Sequence, residues 1–328
     1  GYTELHGLIS LPIFQQGTPP YEEEGGGIEL DKAGIPRVAR TEDVCFALAI
    51  PDGEPPAAGF PLVIYGHGTG GGFDNVISQG IAGDLANGSV DGEAVRVASL
   101  GIDMPQHGNR RGGSDREPDL LFFNFLNPRA ARDNIAQGSA DLMALVRWAT
   151  NYLLPATKSP VERAISFDAS NIALFGHSQG SLHAVLMLPY EPDVSAAVLS
   201  GNGAYLTESL LSKTQPFDIA GALPYVLLDA NSKGELDGGV FHPVLAIFQM
   251  FFERVDGINY AYRLHGEPPA DVPSGHHVFM TYGLFDEYSP ESTQRAYAQA
   301  ADLPVVGEDP ANLGWTRVEA PMSENVEL

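Results

Sequence analysis

Cysteine is almost absent from this 328-residue sequence, because Cys45 is its single example. An intrachain disulfide and a cysteine-based metal cluster are therefore excluded. Basic residues are also scarce, with 18 Lys and Arg against 42 Asp and Glu, which gives a formal net charge of −24. A field of this sign repels phosphate backbones and anionic lipid surfaces. We therefore expect no nucleic-acid partner.

Long hydrophobic runs are missing too. No apolar stretch approaches the roughly 20 residues that span a bilayer, and Gly1–Glu4 lacks the basic start and apolar core of a signal peptide. We expect no transmembrane segment. The sequence has no H-E-x-x-H, no histidine pair at metal spacing and no EF-hand loop, so neither a metal nor another cofactor is expected.

What is present is enough apolar material for a large core, since 44% of residues are hydrophobic. Apolar strand-like runs alternate with amphipathic helix-like runs, which predicts an α/β fold with a mostly parallel sheet and helices on both faces. We expect one domain over 1–328, with an extended arm on the surface over 1–40 and a helical cap inserted at about 202–275. The expected strands are 44–51, 60–65, 94–102, 171–175, 196–199 and 278–282, and the expected helices are about 74–87, 128–150, 178–188 and 290–301, with 223–228 and 244–252 inside the cap.

The strongest motif is Gly176-His177-Ser178-Gln179-Gly180, a G-x-S-x-G that follows an expected strand and precedes an expected helix. A serine on such a tight turn projects its oxygen from the helix N-terminus, and the flanking glycines let the backbone pass closely. This context predicts that Ser178 is a nucleophile.

A second motif is the glycine-rich stretch Tyr65–Gly72, which also follows an apolar strand. Its glycines free backbone N–H groups to stabilise a developing oxyanion. A plain glycine turn and a phosphate-binding loop are the alternatives. The sequence lacks both the G-K-[ST] and the completed G-x-G-x-x-G of phosphate loops, and its order relative to Ser178 favours the oxyanion hole.

With the pair His67-Gly68 and the elbow Gly176–Gly180, the chain resembles serine α/β-hydrolases of the lipase and carboxylesterase type. The segments Gly101–Gly108 and Arg132-Asp133-Asn134 are similar to those of bacterial extracytoplasmic lipases. The resemblance implies that Thr69 and Gln179 supply the two oxyanion N–H groups. It also implies that Asp286, after a late strand, is the acid of the catalytic triad, with Glu287 as its competitor.

The sequence departs from this family in its histidines, because none of the nine follows Asp286. Without an imidazole the serine has no base to accept its proton. We expect this histidine to lie beyond Leu328. Two alternatives are a rewired base, from His107, His276 or His277, and a catalytically impaired scaffold that acts as a binding or structural module.

Together these features predict a carboxylic ester hydrolase that works through an acyl-serine intermediate. His67, His107 and His177 are expected to line the pocket or support it. The expected partner is a small-molecule, lipid or polymer ester, bound under the cap by apolar residues of 244–252; the oligomeric state is left open. The resemblance and the start without Met favour an extracytoplasmic location, with a cytoplasmic one left open.

Overall fold

A computed structural model of the chain describes residues 1–215, 218–227, 239–270, 272, 276–309 and 314–319. The strands are β1 Tyr2–Ile13, β2 Arg40–Pro51, β3 Phe60–Gly66, β4 Gly88–Val90, β5 Glu93–Val95, β6 Ala98–Ile102, β7 Leu153–Leu154, β8 Ile165–His177, β9 Ala196–Ser200, β10 His277–Met280, β11 Val305–Val306 and β12 Arg317–Val318. The α-helices are α1 Asn75–Ser78, α2 Ile81–Ala86, α3 Pro118–Phe122, α4 Pro128–Asn151, α5 Gln179–Met187, α6 Leu206–Ser212, α7 Ile219–Leu227, α8 Pro243–Phe252, α9 Ile258–Ala261 and α10 Glu291–Ala300.

The main sheet has the strand order β1-β2-β6-β3-β8-β9-β10, and β7 pairs with β8 beside it. The pairs from β6 to β10 are parallel, whereas β1–β2 and β2–β6 are antiparallel. This confirms the predicted α/β class and the mostly parallel sheet. Because the carboxyl ends of parallel strands meet at one edge, the loops that follow β3, β8, β9 and β10 converge there.

Helices cover both faces of this sheet. On one face, Ile64 and Leu174 belong to the large core that α4 and α5 close. On the other face, the neighbouring residues Tyr65 and Phe175 pack against Val76 of α1 and Ala82 of α2. Successive strand residues point to opposite faces, so continuously apolar strands are what a sheet covered on both sides requires.

The N-terminal segment needs a correction. Instead of an arm laid on the surface over 1–40, residues 2–13 form β1, which pairs along its whole length with β2. Ile9, Leu11 and Ile13 are buried while Leu8 and Ser10 are exposed. The glycines and prolines that follow this strand obscure its period of two in the sequence. Burial of its inward face holds the strand on the sheet.

One expected helix and one expected strand are each divided in two, whereas the long helix α4 starts where it is expected. The helix expected at about 74–87 is divided into α1 and α2 by Gly80, which adopts φ +84°. The strand expected at 94–102 is divided into β5 and β6. The long helix α4 begins at Pro128 as predicted, and the Asn127 side chain caps it by accepting a hydrogen bond from the Ala130 N–H at 3.2 Å.

Between β9 and β10 the described residues form helices, turns and loops and no strand. The expected helices near 223–228 and 244–252 correspond to α7 and α8, although Leu228 lies outside the described residues. Their assignment as a cap stays a prediction. No helix in the described part of the chain is long and apolar enough to cross a membrane.

Candidate active site

Ser178 stands on the turn between β8 and α5, at the edge where the parallel strands end. Its backbone has φ 50° and ψ −112°, a left-handed conformation that non-glycine residues seldom adopt. Its N–H donates to the Ser200 carbonyl oxygen at the end of β9, at 2.7 Å. Such strain persists where the surrounding structure enforces it, and it clusters at functional sites.

The glycines of the elbow are required by close packing between α5 and β3. A Cβ on Gly180 would overlap the Gly66 carbonyl group, so only glycine fits there without displacement of the backbone. The helix can therefore start immediately beside the strand. This close approach also brings the loop after β3 next to Ser178.

That loop carries the expected oxyanion donors. The Gly71 N–H donates to the Gly68 carbonyl oxygen at 3.0 Å, and Gly70 has φ +83°, as the third residue of a type II turn requires. A Cβ on Gly68 would lie 3.3 Å from the Ser178 Cβ, so the turn runs alongside the serine. Thr69, the second residue of the turn, is joined to α5 by a 3.0 Å hydrogen bond from its Oγ1 to the Gln179 Oε1.

The backbone N–H groups of Thr69 and Gln179 form no hydrogen bond with any residue that the structure describes. Both residues border the same cavity as Ser178. Unpaired backbone donors at such a position are uncommon, because backbone N–H groups are strong donors that are usually satisfied. They are the two N–H groups that the sequence resemblance predicts as oxyanion donors.

Two buried histidines hold this turn in place from behind. His107 Nε2 accepts the Gly70 N–H at 2.9 Å, while His67 Nε2 accepts the Met104 N–H at 3.0 Å. Burial lowers the pKa of His107 to about 4 and that of His67 to about 3, so both imidazoles are neutral and can accept hydrogen bonds. Neither residue lines the cavity, whereas His177 does.

Asp286 lies in the turn that follows β10. Its Oδ1 accepts the N–H groups of Tyr288 and Ser289 at 2.9 and 2.8 Å. A Cβ on Gly201 would be 3.9 Å from Asp286 Oδ2 and 3.7 Å from the Ser178 backbone nitrogen, so the carboxylate and the serine flank the same glycine. Asp286 lines the cavity, and the expected competitor Glu287 does not.

All nine histidines belong to the described residues, and none of them hydrogen-bonds to Ser178 or to Asp286. His277 pairs with Ala196, at the start of β9, whereas Ser178 bonds to Ser200 at its end. His276 lies at the same far edge, where its Nδ1–H donates to the Val194 carbonyl oxygen at 2.8 Å. The rewired base proposed for His107, His276 or His277 is therefore not supported by the geometry.

Ser178 and Asp286 line a cavity of about 790 Å³. Its apolar lining comes from α3, α4, α6 and α8 and the loops beside them: Leu120, Phe123, Phe125, Ile135, Leu206, Leu210, Phe248 and Phe252. Of the apolar residues expected from 244–252, Phe248 and Phe252 line the cavity. Leu245 is buried against Leu210, and Ile247 and Met250 are exposed.

Sequence reasoning missed three charged residues of this cavity, the acidic Glu117 and Asp119 and one basic residue. Lys213, directly after α6, is the single basic side chain among the described residues that line it, apart from the histidine His177. No motif marks this lysine. The only signal available was its isolation, because it is the only Lys or Arg between 202 and 227.

The chain is distantly similar to several hydrolases of known structure. No protein-family model matches the sequence, and no curated protein matches it. Among solved structures, the chain is similar to an acetyl xylan esterase from Paenibacillus sp. R4, with a TM-score of 0.48, 15% identity, and coverage of 97% of this chain and 81% of that one. It is also similar to acetyl xylan esterase 1 from Thermoanaerobacterium sp. JW/SL YS485, with a TM-score of 0.47, 15% identity, and coverage of 87% and 74%.

A Pyrococcus horikoshii acylaminoacyl peptidase gives a TM-score of 0.44 at 9% identity, over 97% of this chain and 36% of that chain. The described residues form a mixed α/β structure with a mostly parallel sheet, in which Ser178 stands on the turn after the central parallel strand β8. Likeness at this level does not identify a substrate.

Proposed function

We propose that this protein is a serine hydrolase that cleaves carboxylic esters through an acyl-serine intermediate. The observation that carries the proposal is the placement of Ser178 on a strained elbow, in the same cavity as the unpaired N–H groups of Thr69 and Gln179. Acyl transfer needs a nucleophile beside donors that are oriented before the charge develops.

In this mechanism Ser178 Oγ attacks the ester carbonyl carbon, and the carbonyl oxygen becomes an oxyanion that accepts hydrogen bonds from Thr69 and Gln179. The alcohol leaves with a proton, and water then releases the acid from the serine by the same route. Asp286 orients the histidine that transfers these protons. None of the nine histidines, all of which the structure describes, hydrogen-bonds to Ser178, so this mechanism requires an imidazole that their observed positions do not supply.

The acyl group binds in the apolar part of the cavity, under a cap formed by the helices between β9 and β10. Support comes from Leu206 and Leu210 of α6 and from Phe248 and Phe252 of α8, which line the cavity opposite the sheet edge. An extracytoplasmic location is part of the proposal and rests on the sequence resemblance. Fractionation of the native source, with antibody detection of the protein, tests it.

The nucleophile is tested with Ser178→Ala. We expect this variant to lose labelling by a fluorophosphonate and to lose the imidazole-dependent part of p-nitrophenyl butyrate hydrolysis, because the covalent route is removed. Ser209→Ala is the matched control, since Ser209 lines the same cavity from α6. Equal labelling of wild type and Ser178→Ala would refute the assignment.

The histidine is tested by adding imidazole to the 328-residue chain. We expect free imidazole to accelerate ester hydrolysis by the wild-type chain more than by Ser178→Ala, because it supplies the missing base to the serine. If the chain is fully active without imidazole and His177→Ala abolishes that activity, His177 would instead be the base. Inertness toward esters and fluorophosphonates, with or without imidazole, would favour the scaffold alternative.

A further inference from the structure

The candidate active site contains a charged group that the proposed mechanism does not use. Lys213 follows α6, and its half-buried side chain lines the same cavity as Ser178. Its Nζ lies over the ring of Phe123, 5.2 Å from the ring centroid. The ammonium itself is thereby held on the face of Phe123, an aromatic residue that also lines the cavity.

This ammonium forms no ion pair within 4.0 Å of any carboxylate that the structure describes. The charged groups that face it are Asp119 of α3 and Asp286, which attract it from a longer distance, and Glu117 also lines the cavity. Burial nevertheless lowers the pKa of Lys213 more than these carboxylates raise it. The surroundings therefore do not fully replace the hydration that the ammonium loses.

Buried charges in proteins are usually paired, because an uncompensated one is costly. Around Lys213 the cavity is mostly apolar, with Phe123, Leu210 and Ile219 in its lining. An anion brought in by a ligand would compensate the ammonium inside this low-dielectric space, where charge-assisted hydrogen bonds are stronger than in water.

We propose that Lys213 forms a carboxylate subsite, so that the preferred ligands are esters that carry a free carboxylate at the far end of an apolar chain. Monoesters of linear dicarboxylic acids belong to this class. The proposal deepens the proposed function and rests on it for turnover, although binding of such a ligand does not require the serine to react.

Binding is therefore measured first, by calorimetry on Ser178→Ala, so that no ester is consumed. The ligands are the monoethyl esters of succinate, glutarate, adipate and suberate, each compared with its neutral diethyl ester. We expect at least one chain length to bind roughly tenfold or more tightly as the monoanion, which is the scale of a hydrogen bond to a charged group. In Lys213→Met with Ser178→Ala, this preference is expected to disappear.

Three variants sharpen the comparison. Lys213→Arg keeps the charge and is expected to keep part of the preference. Asp119→Asn removes a competing carboxylate and is expected to increase it. Lys32→Met removes an exposed lysine and therefore the same net charge, so it is expected to leave the preference unchanged. If Lys213→Met does not fold, Lys213→Gln replaces it.

Turnover gives the second measurement, with p-nitrophenyl esters of the same acids and wild-type protein. In Lys213→Met we expect kcat/KM for the charged esters to become equal to that for the neutral esters. The subsite would be overturned if the protein bound the monoethyl and diethyl esters equally well at every chain length. It would also be overturned if the preference for the monoethyl ester survived Lys213→Met. Binding that behaves as expected without hydrolysis of any ester would overturn the proposed function and leave the subsite standing.

Discussion

His67 and His107 are buried and neutral, and in each of them Nε2 accepts a backbone N–H while the Nδ1–H donates to a backbone carbonyl oxygen. His107 supports Gly70, the residue after Thr69, so it acts on the oxyanion turn without touching the substrate space. His183, Arg110 and Arg111 also face His107 and lower its pKa further, and its Nδ1 pairs with the Pro105 carbonyl at 3.0 Å. The turn is thus positioned by an imidazole that has to stay unprotonated.

This arrangement predicts a pH-dependent stability. His107 has a pKa of about 4 in the folded protein against 6.5 when exposed, so the unfolded chain binds more protons between these values. The stabilising contribution is complete above pH 6.5 and is lost as the pH falls towards 4. His107→Gln, which keeps an acceptor, is expected to reduce the slope of unfolding free energy against pH by about 1.4 kcal/mol per unit in this window.

Urea unfolding across this pH window measures the slope. His6→Gln is the control, because His6 is an exposed histidine of β1. Equal slopes for His107→Gln and wild type would show that His107 does not resist protonation in the folded protein. Fluorophosphonate labelling of Ser178 above pH 6.5 then reports whether the glutamine holds the oxyanion turn in place.

At the scale of elements, the crossing of α5 over β3 decides where the elbow lies. Gly66 and Gly180 meet there without side chains, and the neighbouring loop brings Thr69 to Gln179 across a sequence separation of 110 residues. The two proposed oxyanion donors are therefore adjacent only because strand and helix approach so closely.

Gly180→Ala tests this packing. Its Cβ would overlap the Gly66 carbonyl group, so we expect a loss of about 1–3 kcal/mol of unfolding free energy, the usual cost of overpacking, together with slower labelling of Ser178. Gly83→Ala in α2 is the matched control. A Cβ there would be 3.8 Å from the Tyr2 ring, and we expect stabilisation of up to about 1 kcal/mol from the higher helix propensity of alanine. Similar effects of both changes would contradict the packing argument.

At the scale of the whole molecule, the net charge of −24 is expected to influence stability. Like charges at this density repel one another and destabilise the compact state, and salt screens that repulsion. The screening length falls from about 10 Å at 0.1 M salt to about 3 Å at 1 M. We expect Tm to rise as NaCl is increased across this range.

Thermal unfolding followed by circular dichroism measures this effect. Choline chloride at equal concentration separates screening, which both salts provide, from specific binding of sodium. A non-ionic osmolyte at equal osmolality separates it from preferential exclusion. A Tm that is constant or decreasing with both salts would show that the acidic residues do not limit stability.

Much of the fold could be predicted because the relevant signals are local. The apolar runs at 60–65 and 171–175 and the capped start of α4 depend on neighbours within a few residues. β1 escaped prediction because its period of two is short of β-branched residues at its start and adjoins a glycine-rich loop. Gly80 likewise ended α1 early, because a left-handed backbone position interrupts the helix.

Local signals were enough to predict the alternation of strands and helices around the parallel sheet, the elbow at Ser178 and the glycine turn at Thr69, since these depend on periodicity and turn chemistry. Three-dimensional packing was needed to show which histidines support the turn, which carboxylate shares Gly201 with the serine, and that Lys213 lines the cavity. These relations join residues far apart in the chain. They arise from where the strand ends converge and from what the helices bury, and no spacing in the sequence encodes them.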